Sequence, residues 1–351
     1  MREIPRSMKF LLLLGVLLGM SFPHPLQAQV KPEVDSGLKA YQTKGQSLSG
    51  KIDAGSSETL KQMMNLWTKG FHQHHRGVAI ETTLIKNTEA SEAIIPDVQP
   101  ILAGAKLVAL SHPINESQLH EIKNKMGVQP IQIPVAMDAI VLVVHHKNPL
   151  PGLTLAQVKK IFSVSSGLSD TVERWQQFGL NSELGTRAIN RYGRDTTSGT
   201  FAAFKEMGLD GAEQHKDVFA QPGSMSVVLE VGSDQAGVGY AAIGFAGRSK
   251  KVRIVPLANK EGEPFIMPNN ETVASGQYPL DRQLYLYAMP DSDGTLNPAV
   301  REFVHYVLSR DGQSSVKEEG FFPLPASMTE QALGNIEGNG KATHTLSGAV
   351  Q

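Results

Sequence analysis

Tyr192-Gly193-Arg194-Asp195-Thr196-Thr197-Ser198-Gly199-Thr200-Phe201-Ala202-Ala203-Phe204-Lys205 holds a helix start built to face an anion. Phe201 and Phe204 give an amphipathic helix after Gly199; Gly208 ends it, and Thr197 or Ser198 begins it. A helix start presents unpaired N–H groups and the positive end of the helix dipole. The hydroxyls of Ser198 and Thr200 add donors at the same point, and Gly199 lets backbone approach a ligand. Arg194 offers a planar fork that matches two oxygens of a carboxylate or phosphate. The segment reads as an oxyanion cradle, against the plainer alternative of a helix cap beside a surface arginine.

Two other turns have the same character. Asp53-Ala54-Gly55-Ser56-Ser57-Glu58-Thr59-Leu60 places hydroxyls and free N–H groups before a long helix. Leu110-Ser111-His112-Pro113 puts a serine at the end of an apolar run, where open α/β sheets bind ligands. Each alone reads equally well as capping or a turn. Three at strand-to-helix junctions favour a shared site.

The surrounding pattern is α/β, with short apolar runs alternating with amphipathic helices. Leu60, Met63, Met64, Trp67 and Phe71 form one helical stripe, and Val300, Phe303, Val304, Val307 and Leu308 another. Leu155–Phe162 is a shorter helix with Thr154 as its cap. Strands are expected at 78–82, 107–110, 139–144, 238–243, 252–255 and 284–288. The run 139–144 is apolar throughout, as in a strand buried on both faces. Trp67 and Trp175 are expected in the core.

Composition removes several classes. The chain has 351 residues, 40% hydrophobic and 19% charged, which is globular and long enough for two domains. Lysine and arginine number 33 against 34 acidic residues, so no basic face invites nucleic acid. Cysteine is absent, which excludes disulfides, thiolate metal sites, cysteine nucleophiles and a lipidated N-terminal cysteine.

The ends read differently from the middle. Arg2, Arg6 and Lys9 precede an apolar run from Phe10 to Phe22, and Leu26-Gln27-Ala28 offers a cleavage site. This is the order of a secretory signal, residues 1–28, in a run too short to span a bilayer. Residues 29–48 read as a flexible leader and 329–351 as a flexible tail.

Other constellations are weaker. His72-Gln73-His74-His75 reads as a solvated helix end, and His145-His146-Lys147 as a surface exit from the buried strand. Gly237-Val238-Gly239-Tyr240-Ala241-Ala242 grazes a dinucleotide fingerprint but lacks its acidic partner. No Gly-x-Ser-x-Gly elbow, Walker loop or His-Glu-x-x-His motif occurs. Neither a cofactor, a metal nor a catalytic residue is expected.

Several ordered motifs carry a family resemblance. They are Ser57-Glu58-Thr59-Leu60 through Trp67, Leu153-Thr154 through Ser163 and Trp175, and Tyr192-Gly193-Arg194 with Ser198-Gly199-Thr200. Gln221 to Val228 running on to Tyr240, Ser309 to Gln313, and Gly320-Phe321-Phe322-Pro323-Leu324-Pro325 complete the set. Over about residues 50–327 the chain resembles the PstS-type phosphate-binding proteins, solute-binding proteins that serve ABC importers. The resemblance implies a two-lobed, type II-like periplasmic-binding-protein fold, with the ligand cleft between lobes joined by two crossover strands. The expected boundaries are 49–136 and 254–328 for the first lobe and 137–253 for the second. The crossovers are expected near Val135–Pro149 and near Val252–Pro256 or just beyond. Phosphate contacts carry over to Arg194, Ser198, Gly199, Thr200, Ser57, Thr59, the Leu60 backbone and Ser111.

The signal, with no lipid-anchoring cysteine, predicts an exported, periplasmic protein, and the resemblance implies a monomer that is not an enzyme. It would capture inorganic phosphate and dock on ABC transporter permease subunits in the inner membrane. Two departures bear on ligand identity: His112 stands where similar proteins often have arginine, and 87–97 lacks the family's Gly-Ser-rich loop. Glu58 or Asp195 is the candidate acceptor for phosphate's proton. The same fold holding another oxyanion, or acting in phosphate sensing, is the alternative. A phosphatase is the third reading, and it lacks a nucleophile–base pair.

Overall fold

The computed structural model describes residues 31–43, 45, 47–85, 98–164 and 172–337. The expected signal, 1–28, and the 87–97 loop lie outside the described residues. In chain order the strands are β1 (Ser49–Ser56), β2 (Gly77–Leu84), β3 (Leu107–Leu110), β4 (Ile131–His145), β5 (Leu153–Thr154) and β6 (Asn190–Arg194). They continue with β7 (Val218–Gln221), β8 (Gly237–Ala242), β9 (Val252–Val255), β10 (Leu257–Ala258) and β11 (Asp281–Ala288).

β4 is the axis of the molecule. Its first part, Ile131–Ala139, pairs antiparallel with β11, and its second part, Ile140–Val144, pairs antiparallel with β8. From Val135 onward every residue of the strand is buried, which explains the apolar run over 139–144. The register against β11 shifts between Leu284 and Tyr285, beside Pro134, which has no N–H to give the ladder. The strand order is β2-β1-β3-β11-β4-β8-β6-β7, with β9 also on β4. β1, β2 and β3 are mutually parallel in one half, and β6, β7 and β8 in the other. The result is a mixed α/β molecule in two halves that share β4.

The helices lie where the apolar spacing puts them. Lys61–His74 buries Met63, Met64, Trp67 and Phe71, and the Trp67 indole donates to Gly312 O at 2.9 Å. Leu155–Phe162 begins with a capping box between Thr154 and Gln157. Pro298–Leu308 packs its predicted stripe inward. Trp67 and Trp175 are both in the core.

Five expectations are corrected. β9 pairs with Leu142–His145 of β4, and β10 pairs with β5, so the chain has not yet left this half at Val252–Pro256. It returns later, between Tyr278, whose hydroxyl donates to Ile140 O, and Asp281, the first residue of β11. The leader is packed: Leu38 and Tyr41 are buried, and Glu33, Asp35 and Tyr41 hydrogen-bond to the body. The tail is helical over Ala326–Glu337, with Thr329, Ala332 and Ile336 buried.

The last two corrections concern histidines. His145 is buried rather than on an exposed exit, and its Nδ1 accepts the Lys147 N–H. His75 is buried too, against Tyr41, while His72 and His74 are exposed.

Candidate functional site

Three strand ends converge. β1 and β3 are adjacent and parallel, so Ser57 and Ser111 leave the sheet at the same edge. The Ser57 N–H donates to Ala109 O at 2.9 Å. A single 3-10 turn, Glu58–Leu60, then feeds the helix that follows. The Leu60 N–H closes that turn on Ser57 O at 3.2 Å. From the other half, β6 ends at Arg194 and the helix Gly199–Leu209 begins.

The two halves meet at these residues. Thr59 Oγ1 lies 3.5 Å from Thr200 Oγ1. A Cβ on Gly199 would lie 2.5 Å from Ser111 Oγ and 2.6 Å from His112 Nδ1. Arg194 Nη1 donates to Glu58 Oε2 at 3.3 Å. Arg194, Ser111, Ser198 and Thr200 are 3%, 1%, 4% and 0% exposed, while the Glu58 side chain keeps 35% of its surface in solvent. All eight residues singled out from the sequence, Ser57, Thr59, Leu60, Ser111, Arg194, Ser198, Gly199 and Thr200, lie at these junctions.

The hydrogen bonding separates donors that are free from donors that are engaged. Ser57 Oγ and Ser111 Oγ are buried with no hydrogen-bond partner. An unsatisfied buried hydroxyl costs about 1–3 kcal/mol, so two at one sheet edge argue for a ligand that accepts. Ser198 differs from expectation. Its Oγ accepts from the N–H groups of Thr200 and Phe201, capping its own helix. Its hydroxyl proton remains to donate.

Arg194 is held as much as it holds. Nε donates to Gln221 O, Nη1 to Ser224 Oγ as well as Glu58, and Nη2 to Pro222 O. Burial lowers its proton affinity, while Glu58 and Asp195 oppose that; a guanidinium stays charged regardless. Glu58 is pushed above the usual carboxyl range by burial, with Arg194 and Lys61 pulling it back. Asp195 instead folds onto its own loop, where its carboxylate accepts the Thr197 N–H at 3.1 Å. Of the two candidate proton acceptors, Glu58 is the one in contact with Arg194.

Ser224, Asp138 and Arg282 also belong to this region and were not singled out. Ser224 opens a helix directly after Pro222-Gly223, a start signal that was legible. Arg282 reaches Gly199 O and Thr200 Oγ1 from β11 and pairs with Asp138 on β4. Among the described residues, no group of three or more His, Cys, Asp or Glu is arranged to hold a metal. No helix among them is long and apolar enough to cross a membrane.

The profile of the PBP superfamily domain matches residues 41–311. The chain is 33% identical over 302 residues to the phosphate-binding protein PstS of Pseudomonas aeruginosa, covering 86% of this chain and 91% of that one. It is 30% identical over 235 residues to protein SphX of Synechococcus elongatus, covering 66% and 67%. In fold it is similar to an ABC-type phosphate transport receptor from Vibrio cholerae (TM-score 0.58, 18% identity, 78% of this chain and all of that one). PstS from Borrelia burgdorferi superposes with a TM-score of 0.52 at 18% identity, over 78% and 99% of the chains. The chain belongs to the PBP superfamily, among the PstS-type phosphate-binding proteins.

Proposed function

We propose that the protein captures inorganic phosphate between its two halves and hands it to the permease subunits of an ABC importer. The observation that carries this reading is the pair of orphaned buried hydroxyls, Ser57 Oγ next to Glu58 in the chain and Ser111 Oγ against Gly199 of the other half. In this reading Ser57, Thr59, Ser111, Ser198 and Thr200 donate hydroxyl protons to phosphate oxygens. Arg194 supplies charge and orientation, and the Gly199 N–H lines the remainder; the Leu60 N–H, closed on Ser57 O, would have to leave that bond to join it. Binding needs no covalent step, consistent with relatives that are binding proteins. The Glu58 carboxylate would accept the proton that phosphate carries and fully ionised sulfate lacks.

Closure couples to binding because donors come from both halves. The ligand binds the closed state better than the open one, and that difference shifts the equilibrium. The lobes would comprise about 49–136 with the chain after about 277, and the segment between. An export signal ending near Ala28, periplasmic residence and a monomeric state complete the reading. Calorimetric titration of the mature chain with phosphate and then sulfate tests it. Tight one-to-one phosphate binding without sulfate competition supports it; absence of phosphate binding by folded protein refutes it. Preference for a different oxyanion would favour the second reading, which the position of His112 against Gly199 motivates.

A further inference from the structure

Asp138 and Arg282 stand opposite each other in the β4–β11 register, both buried. Arg282 Nε and Nη2 donate to Asp138 Oδ2 at 2.9 and 2.7 Å. Asp138 Oδ1 accepts the N–H groups of Ala139 at 2.8 Å and Ile243 at 3.2 Å. The same guanidinium also reaches the helix start of the other half. Nη1 donates to Gly199 O and Nη2 to Thr200 Oγ1, both at 3.1 Å.

A guanidinium has no acceptor, so Thr200 Oγ1 must accept in this contact. Its own proton is then directed away from Arg282, towards Thr59 Oγ1 across the cleft and whatever lies between the halves. We propose that Arg282 is a positioning residue for anion binding, fixing the Thr200 hydroxyl as a donor into the cleft. The inference rests on the phosphate reading above. Asp138 neutralises the guanidinium, so Arg282 need not touch the anion to act.

A double-mutant cycle tests this. Wild type, Thr200→Val, Arg282→Lys and the double variant are titrated with phosphate and with sulfate. Lysine keeps the charge against Asp138 but loses the fork that reaches Thr200. Each single variant is expected to lose about tenfold in phosphate affinity. In the Thr200→Val background, Arg282→Lys is expected to cost under about twofold, because the hydroxyl it orients is gone. A second tenfold loss there would overturn the proposal. If Arg282→Lys does not melt cooperatively, Asp138→Asn with Arg282→Gln, which leaves no buried charge, takes its place under the same criterion. Sulfate binding without phosphate binding, with the coupling retained, overturns the phosphate reading and keeps the positioning role. Phosphate binding with independent losses does the reverse. Binding of neither anion overturns both.

Discussion

Gly199 and Ser111 approach so closely across the two halves that a methyl group on Gly199 would sit 2.5 Å from the serine hydroxyl. Gly199 begins a helix, where alanine is well tolerated by the backbone. What the glycine provides is clearance. Gly199→Val is expected to leave the melting temperature nearly unchanged and to weaken phosphate binding at least tenfold, about 1.4 kcal/mol, by holding the halves apart. Calorimetry checks the affinity, and small-angle scattering checks whether ligand still compacts the molecule. Full compaction with wild-type affinity would show that the contact is not limiting.

In the proposed reading Glu58 governs the choice between phosphate and sulfate. Its carboxyl is held above the ordinary range by burial. Lowering the pH therefore protonates Glu58 earlier than an exposed glutamate, removing the acceptor for phosphate's proton. Phosphate affinity is expected to fall and sulfate affinity to rise as the solution is acidified. Glu58→Gln should show the narrowed phosphate-to-sulfate ratio, by about tenfold or more, already at neutral pH. Competition titrations at two pH values read this directly.

The leader contributes to stability through Tyr41. Its hydroxyl donates to Glu302 Oε1 at 2.7 Å and lies 2.5 Å from His75 Nε2. With the tyrosine proton on Glu302, His75 must present Nε2–H. Tyr41→Phe leaves both partners short of a hydrogen bond and should cost about 1–3 kcal/mol. A lower denaturant midpoint at unchanged slope would register it.

His75 should also make stability depend on pH. Burial lowers its pKa; Glu302 opposes this and His74 adds to it. The folded state thus holds the imidazole neutral while the unfolded chain protonates near its ordinary value of about 6.5. The unfolded state binds more protons below that value, so stability falls with acidification from about pH 7 downward. His75→Gln should flatten this slope. His145, lowered by burial in the same sense, contributes a further share that remains in the variant.

Most of the candidate site was legible because its parts are close in sequence. Arg194, Ser198, Gly199 and Thr200 fall within one strand-to-helix turn, and capping and anion binding both draw on the same residue types. Arg282 was not legible. It sits in an alternating strand, and its partner Asp138 lies 144 residues away. The one hint was Asp138, a carboxylate directly before the apolar run 139–144, which demands a buried cation without saying which one. The later return of the chain was missed for a similar reason: Val252–Val255 reads correctly as a strand, but its pairing with β4 is a tertiary choice. The leader and the tail helix misled through composition, since Leu38, Tyr41 and Ile336 carry their packing amid polar neighbours.

The most direct measurement is phosphate titration of the protein from about residue 29 beside Arg194→Ala, each freed of bound anion by unfolding and refolding. The account predicts tight one-to-one binding by the wild type and a loss of at least tenfold in the variant, with both proteins melting cooperatively. Equal affinity in a folded variant would contradict the assignment of the cleft around Arg194, and no binding by the wild type would contradict phosphate as its ligand.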